Sequence, residues 1–107
     1  MHNGAYEALP YIAATGANTV RVVQELASKL PHLEEIIKRL ISLKMIGIIE
    51  LHDATGSTDV NKLLACANWF KNNIALFKKY QKYVLINIAN EWVNYHINCF
   101  LILKIQI

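Results

Sequence analysis

The sequence predicts an α/β fold built on a parallel sheet. Three apolar runs rich in β-branched residues, at residues 19–23, 45–51 and 83–88, are separated by longer segments with helical periodicity. The runs are apolar nearly throughout instead of alternating, the pattern of strands in a parallel sheet whose faces are both covered. Repeated βα units of this kind fit either a doubly wound sheet or a (β/α)8 barrel. The dinucleotide-binding version lacks support, because the turn after Val23 holds no glycine-rich phosphate loop.

The element order is helix, strand, helix, strand, helix, strand. The opening helix reads over residues 6–15, with Pro10 starting or kinking it and Gly16 as a left-handed cap. Between the first two runs, Pro31 suits a first helical turn and Glu34 and Glu35 follow near its positive end. Leu33, Ile36, Ile37, Leu40 and Ile41 make one apolar stripe that can pack on a sheet. Between the second and third runs, Asp59 is an N-cap, with Val60, Leu63, Leu64, Ala67 and Phe70 as the inward face and Lys62, Lys71 and Asn72 outside. A shorter helical stretch through Ile74 and Phe77 continues it, and Trp69 and Tyr80 read as core or surface residues.

A chain of 107 residues with 54% hydrophobic and 18% charged residues argues for a buried core rather than disorder. The formal charge of +3 has its largest local excess among the lysines of residues 71–82. Their spacing is that of a solvated helix face and does not point to nucleic acid. Cys66 and Cys99 cannot build a disulfide framework, and neither they nor His2, His32, His52 and His96 show metal-ligand spacing, so no metal or cofactor is expected. No signal peptide is visible, since residues 1–18 contain Gly4, Glu7 and Pro10 in place of a basic start and an apolar run. Residues 93–107 break the rhythm with Phe100, Leu101, Ile102, Leu103, Ile105 and Ile107 and no acid. They are too short for a membrane span, which needs about 20 residues.

Each apolar run ends, or nearly ends, in a residue out of place in an apolar strand. Arg21 lies in the first, His52 just past the second, and Asn90 and Glu91 just past the third. In parallel α/β folds the C-terminal strand ends face the ligand site, so these groups are expected to converge there. Each also has a purely structural explanation: Arg21 could pair with Glu50 across neighbouring strands, His52 could be a satisfied loop histidine, and Asn90 could turn the chain.

Three segments carry a resemblance. Ile12-Ala13-Ala14-Thr15-Gly16-Ala17-Asn18-Thr19-Val20-Arg21, Glu50-Leu51-His52-Asp53-Ala54-Thr55-Gly56 and Ile86-Asn87-Ile88-Ala89-Asn90-Glu91-Trp92 are similar, in order and spacing, to the second, third and fourth strands of glycoside hydrolase family 5, of the endo-β-1,4-mannanase and cellulase type. The resemblance covers about residues 5–92 and implies a partial (β/α)8 TIM barrel with an open parallel sheet, residues 93–107 being an apolar tail that does not match. It implies hydrolysis of O-glycosyl bonds in β-1,4-mannan or a related β-glycan.

By that resemblance Glu91 matches the general acid/base and Asn90 the neighbour that hydrogen-bonds the sugar 2-hydroxyl. Arg21 matches the arginine that orients the nucleophilic carboxylate, His52 a histidine lining the cleft, and Trp92 an aromatic beside the acid, where it stacks on a pyranose or packs in the core. The acids are Glu7, Glu25, Glu34, Glu35, Glu50, Asp53, Asp59 and Glu91; none follows Trp92, and the family gives neither Glu50 nor Asp53 the nucleophile's role. Retaining hydrolysis needs two carboxyls about 5 Å apart, so the chain is expected to be a truncated gene product, inactive alone. Relatives are commonly secreted. Residues 42–45 look about one helical turn shorter than the family's helix-to-strand link. Two other readings stand beside the enzyme fragment: a non-catalytic β-glycan binder, and a chain that self-associates through open sheet edges or associates with membranes through residues 93–107.

Overall fold

Three parallel strands, each followed or preceded by a helix packed on the same side, account for the molecule. The computed structural model describes residues 4–92. The order is α1 (Gly4–Ala14), β1 (Thr19–Gln24), α2 (Leu30–Ser42), β2 (Ile46–Leu51), α3 (Val60–Asn72), α4 (Ile74–Lys79) and β3 (Val84–Asn87). The sheet order is β1-β2-β3, with Val22 opposite Ile49 and Ile49 opposite Ile86.

Strand alternation sorts the side chains into two unlike faces. Val22, Ile49, Leu51 and Val84 join the helices in one core with Leu33, Ile36, Ile37, Leu40, Cys66, Phe70 and Phe77. The other face carries Arg21, Val23, Ile46, Ile48, Glu50 and Leu85; Ile48 is half-buried, but Val23 is 53%, Ile46 41% and Leu85 58% exposed. The expectation of a sheet covered on both faces is therefore corrected. One-sided helices are the arrangement of a barrel wall, whose inner face meets other strands, and not of a doubly wound sheet.

α2 packs closely because its stripe is complete and its partner strand is flat. Leu33, Ile36, Ile37 and Leu40 are all buried, each worth about 2 kcal/mol of apolar transfer. Gly47 of β2 lies beneath Leu40, whose Cδ1 would be 2.7 Å from any added Cβ, so the helix sits where a side chain would otherwise stand. Pro31 occupies the first turn as expected, while Glu34 and Glu35 fall beyond it. Arg39 lies 4.3 Å over the Tyr6 ring, tying α2 to α1, whose Leu9 is buried. Pro10 lies inside α1 instead of starting it, and Gly16, at φ +90, follows the helix as the left-handed residue.

The short link over residues 42–45 docks α2 by a tight stop. Lys44 Nα donates to the Ile41 carbonyl and Met45 Nα to that of Leu40, a Schellman-type closure with Lys44 at φ 59 and Met45 buried. Lysine is an unusual occupant of that left-handed position, which explains why the stop leaves no glycine signal.

On α3, Asp59 caps as expected, accepting from the Asn61 N–H. The buried stripe is Leu63, Cys66, Ala67 and Phe70; Val60 and Leu64, expected inside, are exposed. Leu64 is about 100° round the helix from Leu63, off the face that Phe70 directs inward. Trp69, Phe70 and Phe77 form an aromatic cluster joining α3 to α4. Burial pushes the Cys66 thiol up, helped by the Asp53 charge, so it remains protonated and packs as an apolar group. Lys71, Lys78, Lys79 and Lys82 are exposed. Cys99, His2, His96 and the apolar tail lie outside the described residues. Among the described residues, no helix is long and apolar enough to cross a membrane.

Two outcomes follow from these contacts. Lys44→Gly is expected to stabilise the chain by about 1 kcal/mol, read as a raised urea midpoint, because glycine enters the left-handed region without a Cβ penalty. The Tyr80 hydroxyl donates to Glu34 Oε2 at 3.0 Å, and with Lys79 at 3.3 Å it holds the Glu34 carboxyl below its ordinary value. A lowered folded-state value means stability that is full above the unfolded carboxyl value and lost as pH falls through the folded one. Tyr80→Phe should therefore lower the urea midpoint at neutral pH, with the difference from wild type shrinking in acid.

Candidate functional site

The buried polar side chains among the described residues are Gln24, Glu50 and Asn90, at or just beyond the C-terminal halves of β1, β2 and β3. Burying such groups costs stability unless each is partnered, so their grouping at one rim marks the place where apolar packing has been given up.

Glu50 is the centre. Its side chain is fully buried on the sheet's open face, with Oε1 2.9 Å from His52 Nδ1 and Oε2 3.7 Å from Arg21 Nε. Residues two apart on an extended segment share a face, which is why His52 can reach back to Glu50. β1 runs on to Gln24, so Arg21 is a mid-strand residue and not a terminal one. Its long side chain covers the difference and donates from Nη2 to Asn90 Oδ1. Asn90 Nδ2 donates in turn to Thr55 Oγ1 at 3.0 Å, and Thr55 Oγ1 donates to the His52 carbonyl at 2.7 Å. Arg21, His52 and Asn90 thus share one network, and the pairing of Arg21 with Glu50 is also present; of Glu91, expected beside them, only the backbone carbonyl takes part, accepting from the Gly56 N–H, with no side-chain bond among the described residues. The structural reading and the site reading are one network.

Backbone bonds hold the rim in register. His52 Nα donates to the Gln24 carbonyl, Asn90 Nα to that of Leu51 and Gly56 Nα to that of Glu91. Gly56, at φ +69, uses the freedom of glycine in this turn. Asp53 Oδ1 accepts from the Leu26 N–H, joining the loops that follow β1 and β2. Glu91 is exposed, and its φ of 42 is a left-handed conformation rare for a residue with a Cβ. Trp92 is half-buried against the core, with Nε1 buried and unbonded among the described residues. Thr55, an exposed turn residue with no distinguishing signal in the sequence, joins the site only through its bonds to His52 and Asn90. Glu50, in the sequence a pairing partner for Arg21 and an acid to which the family gives no nucleophile's role, is the centre of the network, and a charge two residues before His52 in an apolar strand is the signal for it. No cluster of three or more His, Cys, Asp or Glu residues able to hold a metal occurs among the described residues.

Known proteins show the same segment. A mannan endo-1,4-beta-mannosidase of Salipaludibacillus agaradhaerens is 38% identical over 96 residues, covering 82% of this chain and 30% of that protein. A second, from Cellvibrio japonicus, is 35% identical over 108 residues, covering 84% of this chain and 25% of that protein. The solved catalytic domain of a mannanase from Streptomyces sp. SirexAA-E superposes with a TM-score of 0.75 at 32% identity, covering 87% of this chain and 32% of that one. The chain is mannanase-like in both sequence and fold.

This mannanase-like chain spans between a quarter and a third of the length of the curated relatives it matches. The open sheet agrees with that share, since three parallel strands are part of a barrel wall and not a closed barrel. No protein-family profile matches the chain.

Proposed function

We propose that residues 1–92 carry the acid/base side of a β-1,4-mannan-cleaving site of the glycoside hydrolase family 5 type, residues 93–107 being an appended tail. The observation supporting this reading is the hydrogen-bonded and ion-paired chain from His52 through Glu50, Arg21 and Asn90 at the C-terminal rim of three parallel strands. It occurs in a segment 35–38% identical to two mannan endo-1,4-beta-mannosidases.

In this reading Glu91 protonates the leaving glycosidic oxygen and then takes a proton from the attacking water. Asn90 presents the sugar's 2-hydroxyl with a fixed amide. Guanidinium only donates, so Oδ1 faces Arg21 and one Nδ2 hydrogen goes to Thr55; the other has no partner among the described residues and is assigned to the sugar in this reading. Arg21 places its charge on the open face, where an incoming carboxylate would be oriented. His52 lines the cleft, and Trp92 flanks the acid. The same reading makes the protein a secreted one.

The second carboxyl has no candidate in this sequence. Glu50 is taken up by Arg21 and His52, and Asp53 accepts from the Leu26 amide. The chain by itself is therefore expected to hold β-mannan weakly and not to cut it. Affinity electrophoresis through galactomannan should show slight retardation, reduced by Asn90→Ala; identical mobility with and without polysaccharide would remove the β-mannan assignment. Reducing-sugar release from galactomannan or carboxymethyl cellulose should stay at background, and turnover abolished by Glu91→Ala would show the chain to be complete for catalysis.

A second reading, self-association, is favoured by the exposed Val23, Ile46 and Leu85 on the open face and by β1 and β3 as outer strands. Size-exclusion chromatography should show elution ahead of a monomer. A compact monomer with cooperative thermal unfolding is the contrary result.

A further inference from the structure

We infer that Glu50 is a positioning residue that sets the tautomer of His52, keeping the proton on Nδ1 and leaving Nε2 as a hydrogen-bond acceptor toward a sugar hydroxyl. The assignment of that acceptor to a sugar rests on the mannan-cleaving reading; the tautomer itself does not.

A carboxylate oxygen only accepts, so the 2.9 Å contact between Glu50 Oε1 and His52 Nδ1 requires the hydrogen to be on Nδ1. The other carboxylate oxygen, Oε2, faces the Arg21 guanidinium, a group that only donates, at 3.7 Å from Nε. A neutral imidazole with its hydrogen on Nδ1 has a lone pair on Nε2. The His52 side chain is about half exposed while that of Glu50 is fully buried. The Glu50 side of the ring is thus enclosed, and the remaining nitrogen is the one left for an incoming group. A buried carboxylate orienting a histidine through one ring nitrogen, so that the other does the chemistry, is a general device. Here the same carboxylate also holds Arg21, which holds Asn90, so one buried charge orients groups on or just beyond all three strands. Arrangements that packed the sheet alone would be met by an apolar residue at position 50, as at Ile48 and Ile49.

Long-range nitrogen–proton NMR of the uniformly labelled 107-residue chain, at a pH where His52 is neutral, reads the tautomer directly. The wild type should show the Nδ1–H form as the major species at His52. Glu50→Gln, which can offer a donor to Nδ1, should shift the major species to Nε2–H while the backbone amide pattern of α2 and α3 is kept. A wild-type spectrum with Nε2–H predominating would overturn the inference, as would an unchanged tautomer in folded Glu50→Gln. If that variant does not fold, the wild-type measurement still decides. Absence of galactomannan retardation alongside an Nδ1–H tautomer would count against the mannan reading and leave the positioning role standing.

Discussion

A carboxylate enclosed in the central strand of a sheet must be compensated where it stands, and that constraint organises the rim of this molecule. Glu50 has no solvent to screen it, so Arg21 from one neighbouring strand and His52 from its own extension are drawn to it. Arg21, once placed, has donors to spare and engages Asn90 beyond β3. Asn90 then has its amide orientation decided by a donor on one side and the Thr55 hydroxyl on the other. Removing the central charge would leave a cation and a histidine with no reason to share that space.

The two faces of the sheet divide the labour. On one, Gly47 lets α2 approach until Leu40 fills the space a side chain would take, and the aromatic cluster of α3 and α4 continues the core. On the other, apolar side chains lie open beside the polar rim. Barrel walls have this asymmetry because their inner face is completed by strands from around the ring. The superposition on a mannanase catalytic domain accounts for it in the same terms.

Much of the site was legible because strand ends are legible. Arg21, His52 and the Asn90–Glu91 pair stand out as polar residues at the margins of apolar runs, and parallel topology makes those margins meet. Thr55 could not be found that way: an exposed threonine in a turn carries no sign that an asparagine 35 positions away will bond to it. The inward face of α3 is ambiguous in the sequence because two stripes share the spacing i, i+3, i+4, i+7. Residues 60, 63, 64 and 67 fit it as well as 63, 66, 67 and 70, and only contact with the sheet and α4 selects the second. The stop of α2 was hidden for a different reason, since Lys44 occupies a left-handed position that composition assigns to glycine.

The order of elements, the parallel sense of the sheet, the packing stripe of α2 and the rim at which chemistry can occur are written in the residues themselves. These follow from local periodicity and from the absence of alternation in the strands, both properties of neighbouring residues. That the helices lie on one face, that Glu50 is enclosed, and which nitrogen of His52 its carboxylate meets emerge with the assembled sheet. Those outcomes depend on distances between residues far apart in the chain, and burial, which gives a charge its energetic weight, exists only once the strands stand side by side.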